Sequence, residues 1–403
     1  MTDCVNMRVL ILTDKDCVPQ NGGIERVVSI LSSKFSDFLG WKCYRVYFLG
    51  DDPCDPDSDT WHVRLDEFDA RMTEIIAKYK IDIVFNNIMA KKVSRVVFPS
   101  LKRIREENAF DFKHIFTYHS CPGYELVTLD LRFLIRKFLL SKSMRDFKSL
   151  LFRFLLLFLP HSLLEKKIKG KYAMYTIGVD HVTCLSPKLV TAFLRLSGYD
   201  ASHASALPNP VSFGSDDISG ISKEKIVLVV ARMEEKSKRL TRVLDVWGEI
   251  EKDGSCAEWK LLIVGDGDDM AVYREIAQAK GLGRVSFEGH CNPVPYYRKA
   301  PIFLTTSLYE GFPMTILEAQ QFCSVVVGMK SSNFLTLEDV VENGVNGFVV
   351  DSLPEMVERV KQLMADEGLR ERLALNAKES VRKYGVENTL NNWKTLVEDL
   401  KSK

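Results

Sequence analysis

The chain has 403 residues, long for a single core, so two domains are expected. Its hydrophobic (46%) and charged (27%) fractions are those of a soluble globular protein and exclude a disordered, collagenous or polytopic membrane chain. A net charge of +1 gives no sign, taken over the whole chain, of a nucleic-acid partner.

From the amino terminus, acidic Asp3 and polar Asn6 ahead of a first strand argue against a signal peptide. Short Val/Ile/Phe-rich runs then alternate with helical patterns. They are Arg8–Leu12, Cys43–Leu49, Ile81–Phe85, His114–Tyr118 and His181–Leu185, followed by Ile226–Val230, Lys260–Val264, Val285–Glu288, Ile302–Thr305, Ser324–Val327 and Gly347–Val350. Such runs read as βαβ units, with parallel sheets covered on both faces. The stretch 207–220 (LPNPVSFGSDDISG) reads as a linker between the two series. The expected architecture is α/β, with Rossmann-like domains at 1–207 and 208–385 and ligand at the carboxyl ends of their strands. A closing helix over 386–403 could pack back on the first domain. Nine scattered cysteines without a CxxC pair suit reduced thiols in a cytosolic protein, not a disulfide framework or a zinc cluster.

Residues 131–171 break the pattern, with eleven Lys/Arg against two acids among many Leu and Phe. Its longest uncharged apolar stretch, Phe154–Pro160, is too short to cross a bilayer, which takes about 20 helical residues. Arg132, Arg136, Lys137, Arg145, Lys148 and Arg153 can instead hold a basic amphipathic segment against an anionic membrane face. A pair of domain helices with a solvated basic face is the plainer alternative.

The sharpest candidate site is 307–319, SLYEGFPMTILEA. Glu310 and Glu318 stand with seven residues between them, in a loop after a strand and on the following helix. Gly311 permits close backbone approach, Pro313 suits a first helical turn, and the free N–H groups at that helix start can hold an anion. By spacing alone, an ordinary strand–loop–helix fits equally well. Arg232 and Lys238, read alone, suit a solvated basic loop, and the pair Gly22–Gly23 suits a turn. His119 closes a strand and is equally suited to a structural role. Gly265 and Gly267 lack the third glycine of a dinucleotide fingerprint, so NAD is not expected.

The segment 307–319 resembles the Glu–seven residues–Glu motif of retaining GT-B glycosyltransferases, in particular glycosyltransferase family 4. The likeness extends through ARMEEKSKRL, LLIVGDGDDM, YYRKAPIFLTTSLYEGFPMTILEA and ENGVNGFVV, with NGGIERVV resembling the family's amino-terminal glycine loop. The resemblance implies a GT-B fold, two Rossmann-like domains facing a central cleft. It implies that Glu318 bonds the donor's ribose and that Glu310 sits beside the transferred sugar, with Gly311 and Phe312 in the same loop. Arg232 and Lys238 would neutralise the diphosphate, with Lys236 a rival for that role. Gly22 and Gly23 would let backbone amides approach the phosphates, and His119 would contact the donor sugar or the acceptor.

The implied reaction moves a sugar, with retention, from a nucleoside-diphosphate sugar to a saccharide or lipid-linked saccharide. A UDP-sugar is the first choice of donor and GDP-mannose the second. Surface polysaccharide assembly at the inner face of a bacterial membrane is the implied setting. No cofactor and no metal is expected, since basic side chains would stabilise the leaving group. Asp55 and Asp57 have the spacing of a metal motif but sit in a proline-containing loop. The alternatives are a nucleotide-sugar epimerase of the same fold or a non-catalytic membrane-associated scaffold. The sequence departs from the family pattern at Cys323 and Val325, where a Gly- and Pro-containing turn is usual, and at Arg239, where glycine is frequent.

Overall fold

A computed structural model describes residues 7–18, 23–50, 59–126, 161–213 and 221–402, together with Ile135, Lys137, Phe138, Leu139, Met144, Phe147, Lys148 and Leu151. The chain forms two units. One comprises residues 1–122, 165–212 and 384–403, and the other 123–164 and 213–383.

The first unit is built on β1 (Arg8–Thr13), α1 (Gly23–Leu39), β2 (Lys42–Tyr47), β3 (Thr60–His62), α2 (Phe68–Tyr79), β4 (Ile83–Asn86) and α3 (Lys91–Glu107). It continues with β5 (Lys113–Tyr118), α4 (His161–Met174), β6 (His181–Cys184), α5 (Pro187–Ser197) and β7 (Ala204–Ala206). Its strands form one parallel sheet in the order β3-β2-β1-β4-β5-β6-β7. Val9, Leu10, Ile11 and Leu12 are all at most 2% exposed, as strands covered on both faces require. On α1 the buried Val27, Val28, Leu31 and Phe35 recur at helical spacing and turn one stripe to the sheet.

The strands β3 and β7 are absent from the sequence reading. Each has three half-buried residues at a sheet edge, where no continuous apolar run is needed.

The second unit runs β8 (Ile226–Val230), α6 (Glu235–Lys238), α7 (Leu240–Glu251), β9 (Lys260–Val264), α8 (Met270–Ala279), β10 (Val285–Gly289), α9 (Val294–Lys299) and β11 (Ile302–Thr305). It ends with α10 (Met314–Gln321), β12 (Val325–Met329), α11 (Leu337–Val340), β13 (Gly347–Val350), α12 (Leu353–Ala365) and α13 (Glu367–Ser380). The sheet is again parallel, in the order β10-β9-β8-β11-β12-β13. Trp247, Leu261, Ile263, Val360 and Leu363 belong to the core under α7 and α12.

The last helix, α14 (Val386–Lys401), belongs to the first unit, where Trp393 meets Phe85 edge-on at 4.9 Å and Phe35 at 6.1 Å.

The division of the chain differs from the sequence reading in one respect. The sequence reading places the basic segment 131–171 in the amino-terminal domain; the division falls inside it, with residues up to 164 in the second unit and 165–171 in the first. Two contacts join residues 123–164 to the rest of that second unit. The Lys137 ammonium pairs with Asp269, and the Tyr124 ring lies 5.3 Å from that of Tyr309.

One lysine, exposed along its stem but with its ammonium enclosed by carbonyls, fixes the helices below the candidate site. Lys223 Nζ donates to Tyr297 O at 3.1 Å, Ala300 O at 2.7 Å and Phe322 O at 2.6 Å, tying the end of α9 to the end of α10. Burial pushes this amine down to about 7, because uncharged carbonyls offset only part of its lost hydration. The unfolded chain therefore holds a proton between about pH 7 and 10 that the folded chain lacks, so stability rises with pH across that window. Melting curves should move upward over this range, and Lys223→Met should abolish that part of the slope. A wild-type melting temperature that falls steadily from pH 7 to 10, with Lys223→Met following it, would sink this account.

Candidate functional site

In both sheets the strand order reverses beside the first strand, between β1 and β4 and between β8 and β11. Loops leaving such a point diverge to opposite faces and open a crevice at the carboxyl ends of the strands.

In the second unit those loops carry the predicted residues. The loop after β8 holds Arg232, which is exposed, and leads into α6 with Lys238 at its end. The loop after β11 holds Ser307, Glu310, Gly311 and the buried Phe312, and leads into α10 with Glu318. Backbone and hydroxyl contacts lock the two loops together. Leu308 N donates to Ser237 O at 2.7 Å, and the Thr306 hydroxyl lies 3.0 and 2.9 Å from Lys238 O and Arg239 O.

The Lys238 ammonium forms an ion pair with Glu310 Oε1, which also accepts from the Ser307 hydroxyl at 2.7 Å. Lys236 turns elsewhere, its ammonium 5.5 Å from the Tyr124 ring. Of the two rivals for the phosphates, Lys238 is the one brought to the loop of Glu310. Glu318 is 1% exposed, and its Oε2 accepts from the Tyr297 hydroxyl at 2.8 Å. One carboxylate oxygen is thereby held by α9, the helix that Lys223 ties to α10.

A buried network beneath α6 was not foreseen. Glu235 accepts from Tyr273 Oη at 3.0 Å and from the Thr241 hydroxyl, while its own N–H donates to Asp269 Oδ2 at 2.8 Å. Burial raises the Glu235 carboxyl above its ordinary range, and these donors offset part of that rise. The network anchors the short helix that aims Lys238. Because Asp269 also pairs with Lys137, that lysine, expected at a membrane face, belongs to this network.

Gly265 and Gly267 have a structural task instead of a cofactor role. Their φ values are +132° and +158°, and a Cβ on them would lie 2.0 Å from Ala231 O and 2.7 Å from Met233 O. Only glycine lets the turn after β9 press against the two residues flanking Arg232.

In the first unit, three polar side chains stand at the carboxyl ends of β1, β4 and β5. Asp14 Oδ2 accepts from Met89 N and Ala90 N at 2.9 and 2.8 Å, ahead of α3. His119 Nε2 lies 2.8 Å from Asn87 Oδ1, and burial pushes its imidazole down to about 4, so the ring is neutral at ordinary pH. Gly23 opens α1, and a Cβ there would meet nothing within 4 Å, so packing does not require its glycine.

Gly22, Arg132, Arg136, Arg145 and Arg153 lie outside the described residues, as do Asp55 and Asp57. Lys148 is exposed. Among the described residues, no helix is long and apolar enough to cross a membrane.

Sequence reasoning did not find Ser307, Tyr297, Glu235 or Asn87. Ser307 and Asn87 each stand just past the end of a predicted strand, the position where Glu310 and His119 were sought. That position was the available signal. Tyr297 and Glu235 are recognisable only from their partners.

Comparison with known proteins places these features. The family model for glycosyl transferases group 1 matches residues 215–380. The amylovoran biosynthesis glycosyltransferase AmsD of Erwinia amylovora is 29% identical over 215 residues, 52% of this chain and 58% of the relative. A Campylobacter jejuni alpha-1,4-N-acetyl-D-galactosaminyltransferase, named for a diNAcBac-PP-undecaprenol-linked substrate, is 27% identical over 204 residues, 49% of this chain and 55% of the relative. The matches thus span little more than half the length of these relatives. Among solved structures, Anabaena Alr3699/HepE in complex with UDP superposes with a TM-score of 0.68 at 16% identity, covering 98% of this chain and 100% of that one. Residues 215–380 thus match the glycosyl transferases group 1 family, and the two parallel sheets have the GT-B fold of the solved glycosyltransferases.

Proposed function

We propose that the chain is a retaining glycosyltransferase that moves a sugar from a nucleoside-diphosphate sugar to a lipid-linked saccharide during assembly of a bacterial surface polysaccharide. The observation that carries the proposal is the pairing of Lys238 with Glu310 at the β8/β11 reversal, beside the loop of Arg232 and above the buried Glu318. A cation pair at the carboxyl end of a parallel sheet suits a diphosphate leaving group, on which negative charge grows during transfer. In this reading Glu318 takes the ribose, Glu310 with Gly311 and Phe312 lines the sugar, and the Gly22–Gly23 loop approaches the phosphates.

The bond from the anomeric carbon to the phosphate oxygen breaks, and a bond to the acceptor oxygen forms on the same face. The acceptor's proton passes to the departing phosphate. A carboxylate already engaged by Lys238 and Ser307 is a weak nucleophile, which favours this course over a covalent intermediate on Glu310. With Arg232 and Lys238 supplying positive charge, no metal is required.

UDP is the preferred donor nucleotide, and the HepE structure holds UDP. The lipid-linked acceptor draws support from the undecaprenol-linked substrate in the Campylobacter relative's name. It draws further support from the exposed apolar side chains of Ile135, Leu139, Met144, Phe147, Leu151 and Leu163, in the same stretch of chain as exposed Lys148. Six apolar side chains and a cation in one segment suit the headgroup layer of an anionic leaflet at the inner face of the membrane.

The test is thermal melting with UDP, GDP, ADP and CMP in the presence of EDTA. A nucleotide at about 100 times its dissociation constant adds roughly 2.7 kcal/mol, an easily measured rise in melting temperature. UDP should give that rise, and Glu318→Gln, of the same shape, should reduce it. A folded wild-type protein that answers to no nucleotide would defeat the proposal. Flotation with vesicles tests the membrane reading: binding to anionic but not zwitterionic vesicles is expected, and equal recovery with both would defeat it.

A further inference from the structure

The Asn87–His119 contact fixes more than a distance. Asn87 is 7% exposed, its N–H donates to Leu12 O at 2.9 Å, and it stands just past the end of β4 next to β5. Its amide orientation follows from its second neighbour. Asn87 Nδ2 lies 3.4 Å from Phe85 O, and a carbonyl can only accept, so the amide nitrogen faces Phe85. The amide oxygen must then face the imidazole, at 2.8 Å from Nε2. An amide oxygen is likewise only an acceptor, so Nε2 carries the ring proton. A neutral imidazole has one proton, and Nδ1 is left with a bare lone pair. Among the described residues, that nitrogen has no hydrogen-bond partner.

We infer that Asn87 is a positioning residue that holds His119 in the Nε2–H tautomer, so that Nδ1 accepts a hydrogen bond from a sugar hydroxyl. The inference rests on the glycosyl-transfer reading for the identity of the ligand, but the tautomer stands by itself. A neutral ring with an unprotonated Nδ1 repels a phosphate or carboxylate oxygen and selects an O–H group. His119 is thus assigned to a hydroxyl of the donor sugar or of the acceptor, and not to the diphosphate. The residue to its rear decides this, since an amide turned the other way would reverse the tautomer and present a donor.

The experiment uses the full chain labelled with ¹⁵N-histidine, with the His119 signals identified by their loss in His119→Gln. At pH 8.5 the long-range ¹⁵N–¹H correlations of His119 should show the Nε2–H pattern. Asn87→Asp keeps an acceptor at the same place and should keep that pattern, whereas Asn87→Leu removes the acceptor and should give a mixture of tautomers. Sugar transfer at pH 8.5 should fall about tenfold in Asn87→Leu, the worth of one neutral hydrogen bond, and recover in Asn87→Asp. UDP affinity should be the same in all three proteins. An Nδ1–H pattern in the wild type, or an unaltered pattern in Asn87→Leu, overturns the tautomer. A mixed tautomer with undiminished transfer, or UDP affinity that falls with it, overturns the hydroxyl assignment. The spectra decide the tautomer even if no donor supports transfer, a result that would count against the enzyme reading alone.

Discussion

Replacing Glu310 with glutamine is expected to tighten nucleoside-diphosphate binding about tenfold while slowing sugar transfer by about a hundredfold or more. The two effects oppose each other because Glu310 plays two parts. Without ligand it neutralises Lys238, and the two side chains are 18% and 21% exposed, shielded but still reached by solvent. A pair in that setting is worth on the order of 1 kcal/mol, well short of a buried ion pair. An incoming diphosphate must draw Lys238 away from Glu310 and then tolerate the nearby carboxylate. Glutamine keeps the shape and can still accept from Ser307, but it removes the competing charge, so the nucleotide binds better. During transfer the sugar's anomeric carbon gains positive character, and the carboxylate that would face it is missing. Calorimetry with UDP and steady-state kinetics on the same preparation read both effects. A parallel loss of UDP affinity and turnover would show that Glu310 and the phosphates do not compete for Lys238. Lys238→Met supplies the complement: with the cation gone, adding Glu310→Gln should no longer improve UDP affinity.

Much of this arrangement was legible in the sequence for a definite reason. Strands covered on both faces carry near-continuous apolar runs, and those in Ile226–Val230, Lys260–Val264, Ile302–Thr305 and Gly347–Val350 have ends that coincide with the observed strands. The residues just past such strand ends are where ligands gather, so Arg232, Glu310 and His119 could be singled out without coordinates. What remained hidden is what sequence order does not encode. The Tyr297 hydroxyl reaches Glu318 across two helices, and Lys137 reaches Asp269 across more than a hundred residues of chain. The second contact joins Lys137 to a residue of the unit that holds the predicted donor residues. Cys323 is instructive in a different way. It takes the left-handed conformation, φ +58°, which favours glycine. The turn accommodates a cysteine there at roughly 1 kcal/mol of backbone strain.

Gly265→Ala is expected to destabilise the second unit by upwards of about 4 kcal/mol and to weaken UDP binding in whatever fraction stays folded. Two costs combine in one methyl group. Alanine at φ +132° is strained whatever surrounds it, and its Cβ would stand 2.0 Å from Ala231 O, well inside contact distance. Relief by a local shift is blocked on both sides. Gly265 N donates to Gly289 O at 2.8 Å, while Ala231 N donates to Val264 O at 3.0 Å and Met233 N to Asp266 O at 2.9 Å. The backbone cannot retreat without breaking the bonds that place Arg232 and lead into α6. Melting should therefore drop by roughly 10 °C for a domain of this size. Gly254→Ala is the matched control, since its φ is not in the left-handed range and a Cβ there meets nothing within 4 Å. If Gly265→Ala melts like Gly254→Ala, the close approach of the two loops is not a requirement of the fold. If it melts lower but binds UDP as tightly as wild type, the loop of Arg232 has no part in the nucleotide site. Loss of both ties the glycines of the VGDGDD turn to leaving-group binding through the backbone they allow to pass, with no contact to the nucleotide themselves.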